Sequence, residues 1–437
     1  MVNKIILFLV LFLVGAVAIA YVSQKDKLPV ITAYAAKCAC TQVYKNDRSL
    51  DQIASTDLAK SPLSLASLEK NDGQLSVTAS VFGLSQSKAQ YKNGFGCVLI
   101  DGKDDYEVKY PKAMNLNVYV PVEVIKDDVA LGVDYQKIDK AIAGAFKEDY
   151  RTRAVVVLKG DTLIGERYAE GFDAKTPQLG WSMTKSWANT IIGMMVKDSL
   201  LSIDDDFLFE EWANDERRNI RLDDLLRMSS GLKWDEVYTE VSDATRMLFM
   251  SENVAEQNLD EALIHPIGEA WNYSSGTTNL LSGLIRNTFN NDKNYWQYPK
   301  ERLFRMLNMG SAFIETDESG NFIFSSYGYA SARDWGKWGL LYLNDGEWLG
   351  RRLLPDGWVD YSRKLTPASE HAYGAHFWLN HDKVTYPDAP ADMYSANGHD
   401  GQRVFILPSQ GLVIVRLGLS NEWDANALIK GVIESLK

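Results

Sequence analysis

Two predicted β-hairpins, separated by a long helical segment, most constrain how this chain can fold. Ala154–Lys159 and Thr162–Tyr168 are short apolar runs joined by a Gly-Asp turn. Gln402–Leu407 and Leu412–Gly418 form a second pair of this kind. The segment between the hairpins, roughly Ser182–Trp358, is mostly helical in pattern. We therefore predict an α+β fold in which the two ends of this region share one antiparallel sheet.

The flanking sequence suggests how the rest of the chain is divided. Helices are predicted at Asp134–Phe146, before the first hairpin, and at Asp424–Leu436, after the second. Residues 47–72 are predicted to be loop-rich with short helices, Gln74–Phe82 and Gly94–Ile100 to be strands, and 101–120 to be a connector. We predict a leader at 1–24, an extension at 25–125 and a main domain at 126–437.

Composition and charge indicate a globular protein and exclude some partners. The 437 residues are 46% hydrophobic and include 12 Trp and 21 Tyr, enough for a large core. The net charge of −12 and the pI near 5.1 argue against nucleic acid or an anionic membrane surface as the main partner. The sequence does not indicate an oligomeric state.

An almost continuous apolar run from Ile5 to Val22 follows a short start that carries Lys4. This pattern is typical of an export signal, and the Ala18-Ile19-Ala20 sequence fits a small-residue cleavage site. As a helix, eighteen residues would span about 27 Å, at the short edge of what crosses a bilayer. We expect export to the periplasm, either as a soluble protein or anchored to the inner membrane by residues 5–22.

All three cysteines, Cys38, Cys40 and Cys97, follow this segment. In an exported protein, Cys38 or Cys40 can bridge to Cys97 and leave one thiol over. The Cys-Ala-Cys spacing does not fit a zinc knuckle, so we favour a structural role.

A serine and a lysine at the start of a core helix suggest nucleophilic chemistry. Met183, Trp187 and Ile191 recur along one apolar stripe, and Ser182 precedes them. Lys185 lies on the same helical face as Ser182, so an uncharged amine could take the proton of the Ser182 hydroxyl. The backbone N–H groups of the first turn would stabilise negative charge on an attacked carbonyl. The spacing alone is also compatible with a polar first turn and a solvated lysine.

Companion motifs make the pattern specific. In order along the chain, five stretches resemble the serine β-lactamase and penicillin-recognising superfamily in its class C-like branch: Trp181–Ser186, Ile220–Leu232, Pro266–Gly276, Ser331–Gly339 and Gly398–Gln402. The resemblance extends from Ala154 to the C-terminus and implies a β-lactamase/transpeptidase-like fold.

The resemblance also implies residue roles. Ser182 would be the acylated nucleophile, Lys185 its proton acceptor and Tyr273 the phenol that passes a proton to the leaving group. The backbone N–H groups of Ser182 and Gln402 would form the oxyanion hole. The substrate-contacting residues would be Tyr238, Ser275, His399, Asp400 and Gly401.

Departures from the family pattern narrow the expected activity. Tyr273-Ser274-Ser275 replaces the Tyr-x-Asn of many β-lactamases, and His399-Asp400-Gly401 replaces Lys-Thr-Gly. A neutral histidine suits a substrate carboxylate less well than a lysine does. The chain looks more like 6-aminohexanoate-dimer hydrolase and related esterases, which cleave linear amides or esters. The alternatives are a D-alanyl carboxypeptidase, a weak β-lactamase, or a catalytically silent module that binds peptidoglycan fragments or a protein partner.

We predict neither a metal nor an organic cofactor. His371, His376 and His381 are five residues apart, which places successive side chains on different faces of a strand or helix. The acidic residues near Asp204–Asp206 lack the order and turn glycine of a calcium loop.

Overall fold

The computed structural model describes residues 6, 12, 24–100, 132–370 and 372–436. The predicted connector at 101–120, His371 and most of the apolar run at 5–22 therefore lie outside the described residues. The chain divides into two compact units. The first comprises Met1–Lys92, Cys97–Tyr106 and Asp235–Glu252, and the second comprises Asn93–Gly96, Glu107–Trp234 and Asn253–Lys437.

The α-helices are α1 Leu28–Asn46, α2 Leu50–Ser55, α3 Tyr135–Gly144, α4 Met183–Lys197, α5 Leu222–Leu226, α6 Asp243–Met250, α7 Ser275–Asn287, α8 Asp292–Tyr298, α9 Ala332–Leu343, α10 Trp358–Arg363 and α11 Ala425–Ile433. The strands are β1 Ser67–Asn71, β2 Ser76–Val81, β3 Ser85–Lys92, β4 Gly96–Ile100, β5 Thr152–Lys159, β6 Thr162–Tyr168, β7 Gln178–Leu179, β8 Phe313–Ile314, β9 Gly328–Ala330, β10 Glu347–Trp348, β11 Arg351–Arg352, β12 Trp378–Leu379, β13 Tyr394–Gly398, β14 Gln402–Leu407 and β15 Leu412–Gly418.

In the first unit, α1 packs on a four-stranded sheet of order β1-β2-β3-β4. A disulfide joins Cys40 on α1 to Cys97 on β4, with the Cα atoms 6.0 Å apart, and Cys38 lies outside this bond. The amine of Lys37 is buried and donates to the carbonyl of Cys97 at 2.7 Å. The sequence patterns missed α1, β3 and β1, the last of which lies in the segment predicted to be loop-rich with short helices. The buried face of α1 includes polar side chains that interrupt its apolar stripe, and β3 is mostly polar.

The second unit is built on a six-stranded antiparallel sheet of order β12-β13-β14-β15-β5-β6. Strands β15 and β5 pair along their length, with Val415 opposite Val156. This pairing joins the two predicted hairpins into one sheet, so the predicted α+β fold is confirmed. The bounds of β6, β14 and β15 match the predicted strands.

Helices cover both faces of this sheet, which explains why β5 is buried along almost its entire length. Val155 and Val157 face one core together with Ile138 of α3 and Ile429 of α11. Alternate residues of β5 face the larger core, which contains α4 and α9. Helix α9 lies close to the sheet at Gly339. A Cβ built on this glycine would lie 2.6 Å from Val413 Cγ1.

The division into units differs from the predicted domains, since Asn93–Gly96 of the predicted extension belongs to the second unit. The predicted main domain, 126–437, included the loop that carries Tyr238, whereas the structure groups Asp235–Glu252 with the first unit. Among the helices in the described part of the chain, none is both long and apolar enough to cross a membrane.

Candidate active site

The nucleophile motif lies at the start of α4, where the chain turns sharply. Ser182 occupies the N-cap position, and Trp181 before it has a left-handed φ of 49°. A bulky residue rarely adopts this conformation, so the surrounding packing must hold it. The Trp181 ring packs against Tyr327 and His399, with centroids 5.7 and 5.5 Å away. This turn presents the Ser182 hydroxyl at the beginning of a helix whose next thirteen residues are buried.

The amine of Lys185 is buried and contacts the Ser182 hydroxyl directly. Lys185 Nζ lies 3.1 Å from Ser182 Oγ, 2.9 Å from Ser275 Oγ and 2.8 Å from the carbonyl oxygen of Ser325. These three partners are neutral oxygen atoms, which hold the amine in one position at the hydroxyl. Ser325 was not predicted from the sequence, since its contribution is a backbone carbonyl.

Tyr273 lies over the same amine. Lys185 Nζ is 4.9 Å from the centroid of the Tyr273 ring. Tyr273 immediately precedes Ser274, whose hydroxyl caps α7 by accepting from the Thr277 N–H at 2.9 Å. The structure thus brings Ser182, Lys185, Tyr273 and Ser275 together, although they come from separate helix starts.

Aromatic rings surround Tyr273. Trp271, Tyr373 and Trp378 lie with their centroids 6.3, 5.9 and 5.5 Å from that of Tyr273. Tyr373 and Trp378 also contact each other edge to face at 5.1 Å. Tyr373 and Trp378 were not predicted as site residues, because single aromatic residues usually indicate ordinary core packing.

The third motif reaches the nucleophile turn through a close backbone contact. A Cβ built on Gly398 would lie 2.1 Å from the carbonyl oxygen of Gly180, so only glycine fits there. His399 stacks edge to face on Trp181, and its Nε2 is 3.6 Å from Asp400 Oδ1. His399, Asp400 and Gly401 therefore lie beside the turn that presents Ser182.

The predicted oxyanion hole is only partly available in this structure. No hydrogen-bond acceptor for the Ser182 N–H occurs among the described residues. The Gln402 N–H, in contrast, donates to the carbonyl of His399 and closes the turn. The Gln402 side chain is tied to Gly418 by bonds of 2.5 and 2.9 Å. The second donor can serve an oxyanion only if it is shared with His399 or released from it.

A buried arginine, Arg416, holds the third motif in place. Its Nη1 donates to the carbonyls of Asp400 at 2.8 Å, Gly401 at 3.1 Å and Ser420 at 3.2 Å. Its Nη2 donates to the Tyr150 carbonyl at 2.5 Å. Burial lowers the pKa of the Arg416 guanidinium to about 9, and the charge of Arg403 acts in the same direction. Gly401 and Gln402 share a peptide unit, so Arg416 also polarises the predicted oxyanion donor.

His376 lies behind the lysine and links the two helices of the site. Its carbonyl accepts from Ser186 Oγ on α4 at 2.6 Å, and its Nε2 lies 3.3 Å from Thr278 Oγ1 on α7. Burial, and secondarily the charge of Lys185, lowers the pKa of His376 to about 3. The imidazole is therefore neutral at physiological pH.

One predicted substrate-contacting residue, Tyr238, falls in the other compact unit, the first. Its hydroxyl donates to Glu236 at 2.7 Å, and the residue is 40% exposed. Within the described residues, no group of three or more His, Cys, Asp or Glu is arranged to hold a metal ion.

Comparison with known families agrees with the geometry. The Beta-lactamase family model matches residues 136–430, well over half of the chain. The chain belongs to this family. The predicted membership of the serine β-lactamase-like superfamily is therefore confirmed. No functionally curated protein sequence matches the chain.

Several solved structures share the Beta-lactamase-family fold. A Bacillus anthracis protein assigned as a 6-aminohexanoate-dimer hydrolase is 21% identical, with a TM-score of 0.56 over 64% of this chain and 76% of that one. A family VIII carboxylesterase is 14% identical, with a TM-score of 0.57 over 69% and 97%. A penicillin-binding protein homologue from Caulobacter crescentus is 15% identical, with a TM-score of 0.53 over 73% and 99%. At these identities the likeness shows the fold alone.

Proposed function

We propose that this protein is a serine hydrolase that cleaves a linear amide or ester through an acyl-enzyme on Ser182. The observation that carries the proposal is the 3.1 Å contact between Lys185 Nζ and Ser182 Oγ. A serine hydroxyl is a poor nucleophile at neutral pH unless an adjacent base accepts its proton. A buried amine within hydrogen-bonding distance supplies that base.

The first step forms the acyl-enzyme. Ser182 Oγ attacks the substrate carbonyl carbon while its proton moves to an uncharged Lys185 amine, and the carbonyl π electrons pass to the oxygen. The Ser182 N–H donates to that oxygen. The Gln402 N–H joins it by sharing its bond with the His399 carbonyl. The Lys185 contact with the Ser325 carbonyl keeps the amine in place during this transfer.

Collapse of the tetrahedral intermediate requires a proton for the leaving nitrogen or oxygen. The Tyr273 hydroxyl supplies it and is reprotonated through the Lys185 amine beside its ring. The carbon–nitrogen or carbon–oxygen bond then breaks. Water attacks the acyl-enzyme, restores the Ser182 hydroxyl and releases the carboxylic acid.

The residues around the nucleophile support a linear substrate with an apolar portion. Ser275 binds Lys185 where many β-lactamases have an amide side chain, and His399 replaces a lysine that would suit a β-lactam carboxylate. The rings of Trp271, Tyr373 and Trp378 provide apolar surface around Tyr273. The proposed substrate class agrees with the names of two solved structures of this fold, a 6-aminohexanoate-dimer hydrolase and a carboxylesterase.

The test combines turnover with intact-protein mass spectrometry. The wild type should hydrolyse p-nitrophenyl butyrate, and Ser182→Ala should lose this activity, whereas Ser409→Ala, which removes a hydroxyl from an exposed turn, should retain it. A slow amide or ester should add its acyl mass to a peptide that contains Ser182. Normal turnover by Ser182→Ala would show that Ser182 is not the nucleophile. Release of D-alanine from a muropeptide, a stable penicillin adduct, or binding without turnover would favour the respective alternatives.

We also propose that the protein is exported and stays at the inner membrane through residues 5–22. The apolar run that begins the chain supports this location, and so does the Cys40–Cys97 disulfide, since such bonds persist in oxidising compartments. Fractionation of cells that produce the full chain should place it in the membrane fraction, with the hydrolase accessible to periplasmic protease. Recovery in the cytoplasm would contradict the proposal.

A further inference from the structure

Three apolar side chains of the first unit are exposed on adjacent turns. Phe82 is 74% exposed, Leu84 is 56% exposed and Leu65 is 44% exposed. Phe82 and Leu84 flank Gly83 in the turn that joins β2 to β3. We call these three residues the apolar tip.

The strand register places the apolar tip at one end of the sheet. Ser67, the first residue of β1, pairs with Ser80 near the end of β2. Leu65 lies two residues before Ser67 and Phe82 two residues after Ser80, so both leave the sheet at the same end. The opposite end carries Lys70 and Asp72, which form an ion pair at 2.8 Å.

Helix α1 begins at the end of the unit that carries the apolar tip. Near its start, Thr32 Oγ1 lies 3.2 Å from Ser85 Oγ and 2.8 Å from Ser87 Oγ, just after the β2–β3 turn. Near its C-terminal end, the Tyr44 hydroxyl donates to the Ser76 carbonyl at 3.2 Å, at the other end of the same strands. Both contacts fix the direction of α1, so the chain enters the first unit beside the apolar tip.

The predicted membrane segment ends close to this point. Val22 is the last residue of the apolar run, and α1 begins at Leu28. The five intervening residues could span at most about 17 Å if fully extended. Residues 24–27 form a turn, in which the Lys27 N–H donates to the Gln24 carbonyl at 2.9 Å, and this shortens the connection. The start of α1 must therefore lie near any membrane that residues 5–22 cross.

We propose that the apolar tip inserts into the lipid interface beside the N-terminal anchor and forms a second membrane contact. The proposal rests on the proposed anchoring and is independent of the hydrolase chemistry. Phenylalanine and leucine on an exposed turn suit the boundary between headgroups and acyl chains. Two contacts would restrict how the first unit can rotate on the membrane.

The test uses the full chain in liposomes of phosphatidylethanolamine and phosphatidylglycerol. A Phe82→Cys variant, in a Cys38→Ser background, carries an environment-sensitive fluorophore on its one reactive thiol, because Cys40 and Cys97 are bonded to each other. The matched control is Leu75→Cys, a 45% exposed leucine at the opposite end of β2. Both variants should keep the far-ultraviolet circular dichroism spectrum of the parent.

We expect the label at position 82 to emit at shorter wavelength and to be quenched at least about twofold by spin-labelled lipid, as for a group within the interface. The label at position 75 should be quenched by aqueous iodide instead. Equal iodide quenching at both positions in protein that floats with the liposomes would overturn the proposal. Failure of the full chain to float with liposomes would also overturn it, by removing the anchor. A blue shift that disappears as protein is diluted into excess lipid would assign the tip to a second copy of the chain.

Discussion

The two halves of the candidate site are built in different ways. The nucleophile half, Ser182 and Lys185, is one turn of a buried helix, and its geometry follows from local backbone structure. The third-motif half, His399–Gly401, is a turn with Asp400 at a left-handed φ of 57°. It depends on hydrogen bonds from the side chain of Arg416, which lies on β15. One half is therefore fixed by helix periodicity, and the other by a long-range network of hydrogen bonds to carbonyl groups.

The largest expected effect tests the nucleophile half. Lys185→Met should lower kcat/KM for the p-nitrophenyl ester by about 10³-fold, because it removes the proposed general base. Lys337→Met is a matched control, since Lys337 is also largely buried and donates to the Asn308 carbonyl at 2.6 Å and to Asp334 at 2.7 Å. The control should lose stability but keep its turnover number. A Lys185→Met variant with normal kcat/KM would show that Lys185 is not the general base.

A smaller effect on activity is expected in the third-motif half. Arg416→Met leaves several buried carbonyls without donors, so the free energy of unfolding should fall by about 2–4 kcal/mol. In the protein that still folds, kcat should fall about tenfold with little change in KM, since the oxyanion donor is misplaced rather than removed. Urea denaturation and steady-state kinetics measure the two effects.

Two variants sharpen the interpretation of Arg416. Arg416→Lys should restore part of kcat, since a lysine offers three of the lost donors. Arg403→Met is the matched control on the paired strand, where Arg403 donates to the carbonyls of Gly398 and Gln402 at 3.0 and 2.8 Å. An equal loss of kcat in both methionine variants would show that Arg416 has no particular role in positioning the turn.

The smallest effect on activity is expected at His376, whose contribution is to the pH dependence of stability. The pKa of His376 is about 3 in the folded protein, below its ordinary value of 6.5, so the unfolded chain binds more protons between these two pH values. The contribution of His376 to the free energy of unfolding is therefore fully present above pH 6.5 and is lost as the pH falls towards 3. The loss amounts to roughly 1.4 kcal/mol per pH unit within that window.

His376→Gln should remove this slope while keeping a side chain that can bond to Thr278. The measurement is the difference in unfolding free energy between wild type and variant at several pH values from about 4 to 8. This range covers most of the pH window between the folded and unfolded pKa values of His376. His381→Gln, an exposed histidine of the same unit, should leave the slope unchanged. An unchanged slope in His376→Gln would show that His376 is not buried in its neutral form.

The contrast between the two halves also explains what the sequence could predict. The two hairpins and the Ser182–Lys185 contact follow from periods of two and of three to four residues, which are local properties. Ser325 and Arg416 were not predicted. Ser325 acts through its backbone carbonyl, and Arg416 donates to backbone carbonyls, and in both cases the partner is distant in sequence. His376 was considered only as a metal ligand, since nothing near it in sequence shows that it lies behind Lys185. The Gln402 N–H was predicted to be an available donor, and its bond to His399 depends on turn geometry that residue types do not specify.

The Cys40–Cys97 disulfide has a consequence for how the protein can be produced. In the chain-entropy description, closing a loop of 57 residues lowers the free energy of folding by about 4 kcal/mol. All three cysteines belong to the first unit, so the second unit contains none. A reducing cytosol or added dithiothreitol would therefore destabilise the first unit, which contains the disulfide, and would break no covalent bond in the second unit. Oxidising expression is the condition under which both parts of the chain can reach their native state.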